Sequence, residues 1–307
     1  MTDTATTQAA ATPATKNRKK AAHYDANPAK AGWFTKIVLT VLCVLWMVPL
    51  LGTLVTSFRN IDDVKSSGWW TIFTKPSTLS NLTFANYHKA LTGNAHMGRD
   101  FINSLAIALP ATFIPILVAA FAAYAFTFMK FWGRDVLFLT IVSLLVVPNY
   151  VAFIPIFKIY RTLGLNGTFA SVWLAHIGFG MSLAIYILRN YMATLPKTVI
   201  ESAEIDGASH FQTFFRLILP MSVPALASFA IFQFLWVWND LLVALVFIGP
   251  GDNEPVTVGL THLKGQLGQG WELTTAGGFI TMLLPIIVFL ALQRFFVRGM
   301  TAGAVKG

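Results

Sequence analysis

Four polar or aromatic side chains that could do chemistry in apolar surroundings lie close together in this chain of 307 residues. They are Gln233, Trp236, Asn239 and Asp240, in the stretch Phe232-Gln-Phe-Leu-Trp-Val-Trp-Asn-Asp-Leu241. If this stretch is one helix, residues 233, 236 and 240 fall at i, i+3 and i+7 and share a face. An indole beside hydrogen-bonding groups suits a ligand rich in hydroxyls, such as a sugar. The same groups also serve to bond one buried helix to another. Both readings stay open for the four together; for Asp240 alone the helix contact is the simpler one. A charge in hydrocarbon is costly enough to ask for a reason. His176 and Asn149 read as packing or interhelical groups.

Covalent and metal chemistry find no footing. The sequence has no His-Glu-x-x-His, no Walker sequence and no cluster of metal ligands, so neither a catalytic residue nor a metal site is expected. Gly180-Met-Ser182 has the look of a serine nucleophile with His176 nearby. Six residues turn a helix through about 240°, however, which points those two side chains apart. The single cysteine, Cys43, lies in an apolar run and has no internal disulfide partner.

What must position these groups is a set of membrane helices. Hydrophobic residues make up 55% of the chain and charged ones 11%, with a mean hydropathy of +0.64. A soluble fold needs more charge than that to cover its surface, so the surplus apolar area faces lipid. Six apolar runs can cross about 30 Å of hydrocarbon as helices, at about 36–57, 102–128, 136–157, 169–190, 222–247 and 275–297. They contain Pro49, Pro110, Pro115, Pro148, Pro155, Pro224 and Pro285. Kinks are the common consequence, and a helix broken at a substrate path the sharper one. The expected fold class is an all-α integral membrane protein with six transmembrane helices.

The net charge of +9 sits on residues scattered between the apolar runs, which speaks for membrane topology and against nucleic acid. Lys16, Arg18, Lys19, Lys20, Lys30 and Lys36 precede the first run. Lys130 and Arg134, then Arg189, Lys197 and Arg216, then Arg294, Arg298 and Lys306 fall on the same side after every second crossing. The other side is poorer in short-loop basic residues, so both termini and the 196–220 connection are expected in the cytoplasm. This divides the chain into a disordered cytoplasmic tail at 1–32, the first helix and outer loop at 33–100, a five-helix core at 101–299 and a cytoplasmic tail at 300–307. In the first outer loop, Trp69-Trp70 and Phe73 read as interfacial anchors. The last outer loop, about 248–274, holds Gly249-Pro-Gly-Asp-Asn-Glu-Pro255 and Gly265-Gln-Leu-Gly-Gln-Gly270 and reads as exposed and adaptable.

Between the fourth and fifth runs, the polar stretch from Glu201 to Pro220 reads as two short helices and a corner. Thr198-Val-Ile-Glu201 has the spacing of a capping box, and Ser209-His-Phe-Gln212 repeats it. Gly207 is the cheap left-handed stop between them. Phe211, Phe214, Phe215 and Ile218 follow at helical spacing as one apolar stripe, and Pro220 lacks the N–H to continue it.

Glu201, Ala203, Asp206-Gly207-Ala208 and Leu219-Pro220 resemble, at matching spacing, the EAA loop of ABC-importer permeases; Ser202 stands where that motif usually has Ala. The tail Met300-Thr-Ala-Gly-Ala-Val-Lys-Gly307 is similar to the carboxyl end of sugar permeases of the maltose-transporter kind. The resemblance implies a carbohydrate importer subunit of the bacterial inner membrane working by alternating access. Its coupling surface would be Glu201, Ser202, Ala203, Asp206, Gly207, Ala208, Phe211, Phe214, Phe215, Leu219 and Pro220. It further implies a dimer of ATPase subunits carrying ATP and Mg, since this chain would bind no cofactor. A second, non-identical permease and an extracytoplasmic solute-binding protein complete the expected partners. The rival class, a stand-alone secondary transporter, should show an internal repeat and several intramembrane carboxylates; the sequence offers no repeat and only Asp240.

Overall fold

The computed structural model describes residues 32–93, 96–263 and 270–301, with side chains of the last stretch described to 293. The tail through residue 31, Lys264, the loop at 265–269, the side chains of Arg294 and Arg298, and the tail from 302 lie outside the described residues. Among the described residues every regular element is a helix. Used below are α1 (Trp33–Phe58), α2 (Ile61–Ser66), α3 (Met97–Phe128), α4 (Arg134–Ser143), α5 (Phe153–Thr162) and α6 (Phe169–Met192). After these come α7 (Lys197–Ile205), α8 (His210–Thr213), α9 (Val223–Trp238), α10 (Leu242–Phe247), α11 (Val256–His262) and α12 (Trp271–Thr301). The chain forms two compact units, one through Met47 and one from Val48. Described in the first is the apolar beginning of α1; the second holds everything that follows.

Four helices are long and apolar enough to cross a membrane unbroken: α1, α3, α6 and α12 over Trp271–Gln293. The expected third span, 136–157, is not one helix. Arg134–Val146 and Asn149–Thr162 meet at 95°. Pro148 has no N–H to donate and holds Val147 extended, at φ −76° and ψ 121°, so the helical ladder stops there. Pro110 and Pro115 stay inside α3, and a proline's presence alone therefore does not decide between kink and break.

The fifth span is interrupted twice. Residues His210–Met221 meet α9 at 71°, with the turn at Ser222 between Pro220 and Pro224. Ser222 closes it by donating its N–H to the Ile218 and Leu219 carbonyls at 2.9 and 3.1 Å. Pro220 thus does not end its helix, contrary to the expectation; the chain stays helical to Met221. A second break, at 239–241, separates α9 from α10.

The core is the packing of α3 on α6, with α9 against both and against α12. Ala108, Ala111, Ala119, Ala120 and Ala123 on α3, with Ala175, Gly180 and Ala184 on α6, are buried and small enough for close helix approach. Indole N–H groups tie helices together: Trp173 donates to the Ala106 carbonyl and Trp238 to the Thr281 carbonyl, both at 3.0 Å.

In the loop expected to face outward, the described part before residue 264 is less open than Gly249-Pro-Gly251 suggests. Val256 and Val258 are fully buried and Glu254 nearly so. The start of α3 supplies the partners: Asn103 donates to the Asp252 and Glu254 carbonyls at 2.8 and 3.0 Å, and the Ser104 hydroxyl accepts from the Val256 N–H at 2.8 Å. Arg99 pairs with both Asp100 and Asp252. Of the aromatic anchors, Trp70 and Phe73 point outward, 58% and 73% exposed.

Candidate functional site: a capped elbow and a broken helix

The elbow is built by local rules. α7 ends at Gly207, whose φ is +73°. The Gly207 N–H reaches the Glu204 carbonyl at 3.1 Å and the Ala208 N–H the Ala203 carbonyl at 2.9 Å, the two bonds of a Schellman stop. Ser209 then opens α8 with a complete capping box: its hydroxyl accepts from the Gln212 N–H, and the Gln212 side chain accepts from the Ser209 N–H. The first expected box does not form. α7 begins at Lys197 with Pro196 at the cap position, so Thr198 already lies in the first turn and Glu201 in the middle of the helix. Proline suits a helix start, and it takes the start away from Thr198.

The phenylalanine stripe splits in two. Phe214 and Ile218 are buried, whereas Phe211 is 67% and Phe215 38% exposed. Phe214 stacks on Phe121 of α3 at 4.5 Å and meets Tyr124 edge-on at 5.4 Å. Tyr124 also shares a 3.0 Å hydrogen bond with His210. With Ile200 of α7, these residues fasten the elbow to the core. Residues Phe214–Ile218 form a wide π turn in which the Leu219 N–H reaches the Phe214 carbonyl. Such turns are rare and have no sequence signature in the capping or periodicity rules.

The opposite side of the elbow carries Glu201, Ser202, Asp206, Gly207 and Phe211, all exposed, with Leu219 half-buried and Pro220 exposed behind them. Ala203 faces inward and Ala208 is half-buried. The Glu201 carboxylate has no partner among the described residues. Ile205, 86% exposed, joins this face. No capping or periodicity rule singles it out, although a large aliphatic residue close to a helix-ending glycine is a visible signal. The exposed residues include two large apolar side chains, Ile205 and Phe211, and the carboxylates of Glu201 and Asp206, on a support held by caps and aromatic packing.

The four residues of the 233–240 cluster do not share a face. Gln233 is fully buried; its amide donates to the Ala111 carbonyl at 3.2 Å and the His176 carbonyl at 3.4 Å. Gly180 makes room for it, since a Cβ there would sit 2.7 Å from Gln233 Oε1. Trp236 stands edge-on to His176 at 5.3 Å. Asn239 turns back on its own helix and donates to the Leu235 carbonyl at 2.7 Å. Asp240 lies beyond the end of α9, where its carboxylate accepts from the Val243 N–H at 2.7 Å and so caps α10. The i+7 relation fails because the helix stops at Trp238.

Gln233 and Trp236 instead border a cavity of about 500 Å³ that the sequence did not disclose. Its wall includes the break at Val147-Pro148-Asn149 and, on α6, Gly178, Gly180 and Ser182. His176 lies outside this wall, which agrees with its pointing away from Ser182. The lining is mainly apolar, with the Asn149, Ser182, Gln233 and Trp236 side chains as its polar points.

A bundle of membrane helices interrupted by a capped, outward-facing elbow is the fold of an importer permease. Residues 115–302 match the family described as binding-protein-dependent transport system inner membrane component. The chain belongs to that family: it is a membrane permease subunit of the ABC-importer type. It is 52% identical to the osmoprotective compounds uptake permease protein of Synechocystis sp., over 88% of this chain and 91% of the relative. It is also 52% identical to the alpha-glucoside transport system permease protein of Rhizobium meliloti, over 82% of this chain and 68% of the relative. The trehalose transport system permease protein of Mycobacterium tuberculosis is 36% identical over 91% and 99% of the two chains. The fold is shared with a chain of a bacterial ABC transporter involved in the import of the acidic polysaccharide alginate, at a TM-score of 0.74 and 20% identity, covering 86% of this chain and 95% of that one.

Proposed function

We propose that this chain is the sugar- or oligosaccharide-translocating permease of an ATP-driven importer in the bacterial cytoplasmic membrane, with an α-glucoside as its substrate class. The relatives named for alpha-glucoside and trehalose transport support the substrate reading. The observation that carries the mechanism is the elbow, which packs on α3 through Phe214 and leaves the unpartnered Glu201 carboxylate, Ile205 and Phe211 exposed. In this reading both termini and the elbow are cytoplasmic. The two bent pairs each count as one crossing, giving six, with a core at 101–299 around the coupling loop 196–220. ATP and Mg belong to a pair of ATPase subunits that the elbow contacts through Glu201, Ser202, Ile205, Asp206, Gly207 and Phe211. Phe214 and Ile200 hold the contact surface in place from behind.

ATP-driven closure of the ATPase pair would move the elbow as a body, because Phe214 and Tyr124 join it to α3. Motion of α3 and α9 would then reshape the cavity at the 147–149 break, where Gln233, buried in this structure, and Trp236 would become the substrate-facing pair. A second, non-identical permease would close that cavity's open side, and an extracytoplasmic solute-binding protein would deliver the sugar. An ion-coupled secondary transporter is disfavoured by the family membership.

The test is affinity capture from mild detergent by a tag on the carboxyl end, followed by ATPase assay. Recovery of an ATPase and a second permease, with ATPase recovery reduced by Gly207→Asp in a protein that still inserts, is the expected result. A lone polypeptide that carries sugar in vesicles on an ion gradient would overturn the proposal.

A further inference from the structure

Where α1 gives way to α2, the guanidinium of Arg59 is 3% exposed. It donates to the Ser67 carbonyl at 3.0 Å and to the Asp63 carbonyl and Ser67 hydroxyl at 2.6 Å each. All of these acceptors are neutral. Among the described residues no carboxylate lies within ion-pair distance of Arg59. Its Nε is buried with no acceptor. The carbonyls at the end of α2 offset part of the charge, but a buried cation without a counter-anion remains costly.

Arg59 borders an open cavity of about 330 Å³ whose wall contains no acidic side chain. Trp69 stands in the same wall, and its indole N–H has no acceptor among the described residues. Gly52 lets the ring in: a Cβ at that position would sit 2.8 Å from Trp69 Nε1. The Thr53, Thr56 and Thr275 hydroxyls in the wall donate to carbonyls of their own helices and so add no free donor. One indole N–H without an acceptor and one uncompensated positive charge therefore border a space large enough for a small oxyanion, while the Arg59 Nε is itself sealed from it. Trp70 and Phe73, exposed beside it at the end of a membrane-crossing helix, set its depth at the headgroup layer.

We infer that this cavity binds a phosphate-type oxyanion, presented either as the headgroup of an anionic phospholipid or as a free ion. The Trp69 indole donates to it, and Arg59 supplies the balancing charge. Bound there, it fastens α1, the α2 segment and the start of α12 to one another. This is separate from the elbow and from the sugar cavity, and it does not depend on the transported substrate.

The test uses the full transporter complex, delipidated and then titrated with phosphatidylglycerol, with phosphate-free galactosyl diacylglycerol, or with inorganic phosphate, and read by native mass spectrometry and tryptophan fluorescence. Arg59→Gln removes the charge, while Trp69→Phe keeps the ring and removes only the N–H, which guards against loss of fold. One retained phosphatidylglycerol, weakened about tenfold by Trp69→Phe and more by Arg59→Gln, supports the lipid source, as one charge-assisted hydrogen bond requires. Saturable binding of inorganic phosphate with the same dependence on both residues, and no lipid preference, supports the free-ion source. Equal retention of the two lipids together with no phosphate binding, or binding indifferent to Trp69→Phe and Arg59→Gln alike, would overturn the inference.

Discussion

The corner at Gly207 and the break at 239–241 are both places where a helix stops and another starts after a few residues, yet they treat their side chains in opposite ways. At the elbow the backbone satisfies itself through the Schellman bonds and the Ser209 box. Glu201, Asp206, Ile205 and Phe211 remain exposed. At 239–241 the side chains are consumed: Asp240 caps Val243, Asn239 bonds Leu235, and Thr257 donates to the Asp240 carbonyl at 2.8 Å. The break is itself only partly covered, with Asn239 exposed and Asp240 and Leu241 half-buried, so burial alone does not account for the difference; there the side chains close the local backbone. A polar cluster inside a membrane bundle is therefore weak evidence for a ligand until the broken backbone beside it has been accounted for. A capped turn at the surface leaves its side chains available for a partner.

This contrast can be broken or sharpened by substitution. The largest effect should come from Phe214→Ala, which removes the ring between Phe121 and Tyr124 and should destabilise the protein by roughly 3–5 kcal/mol in a detergent thermal melt. A melt no lower than that of Phe211→Ala would deny the division of the stripe into an anchoring and a presenting half. Asp240→Ala should cost about 1 kcal/mol through the lost cap. If transport disappears while the melting temperature holds, Asp240 is a substrate ligand and the accounting above is wrong. Gly207→Ala forces a Cβ into the left-handed region and should also cost about 1 kcal/mol. It should reduce ATPase capture as well, which Asp240→Ala should leave unchanged. The smallest effects on stability, within about 0.5 kcal/mol, should come from Phe211→Ala and Glu201→Gln, because neither side chain is buried. Both should still weaken ATPase capture.

The elbow was legible because its determinants are local. A glycine at a helix end, Ser-x-x-Gln beginning two residues on, and Leu-Pro after a phenylalanine stripe each act within one turn. The misses are instructive in the same terms. Thr198-Val-Ile-Glu201 has the spacing of a box, but Pro196 starts the helix earlier. The stripe's spacing predicts one covered face, but cover falls off along it: Phe214 and Ile218 are buried, Phe215 still meets Phe121 edge-on while 38% exposed, and Phe211 is 67% exposed. The 233–240 cluster was placed by helical arithmetic, which fails where the helix stops. No nearby residue announces that stop, since Asn239 and Asp240 look alike inside a helix or capping the next one. Proline was ambiguous as well: Pro110 and Pro115 ride within α3, and Pro148 breaks its span. The pairing of Asn103 and Ser104 with residues 252–256 joins segments about 150 positions apart, and no periodicity reports that.

The most direct measurement of the central claim is disulfide cross-linking on a Cys43→Ser background, with a cysteine at Ile205 or at Asn239 and a second one on the ATPase subunit. The account predicts that Ile205→Cys joins to the ATPase in membranes, that the yield changes when ATP is added, and that Asn239→Cys gives no such product. Free thiol at Ile205→Cys, equally reactive with and without the ATPase subunits, would contradict it.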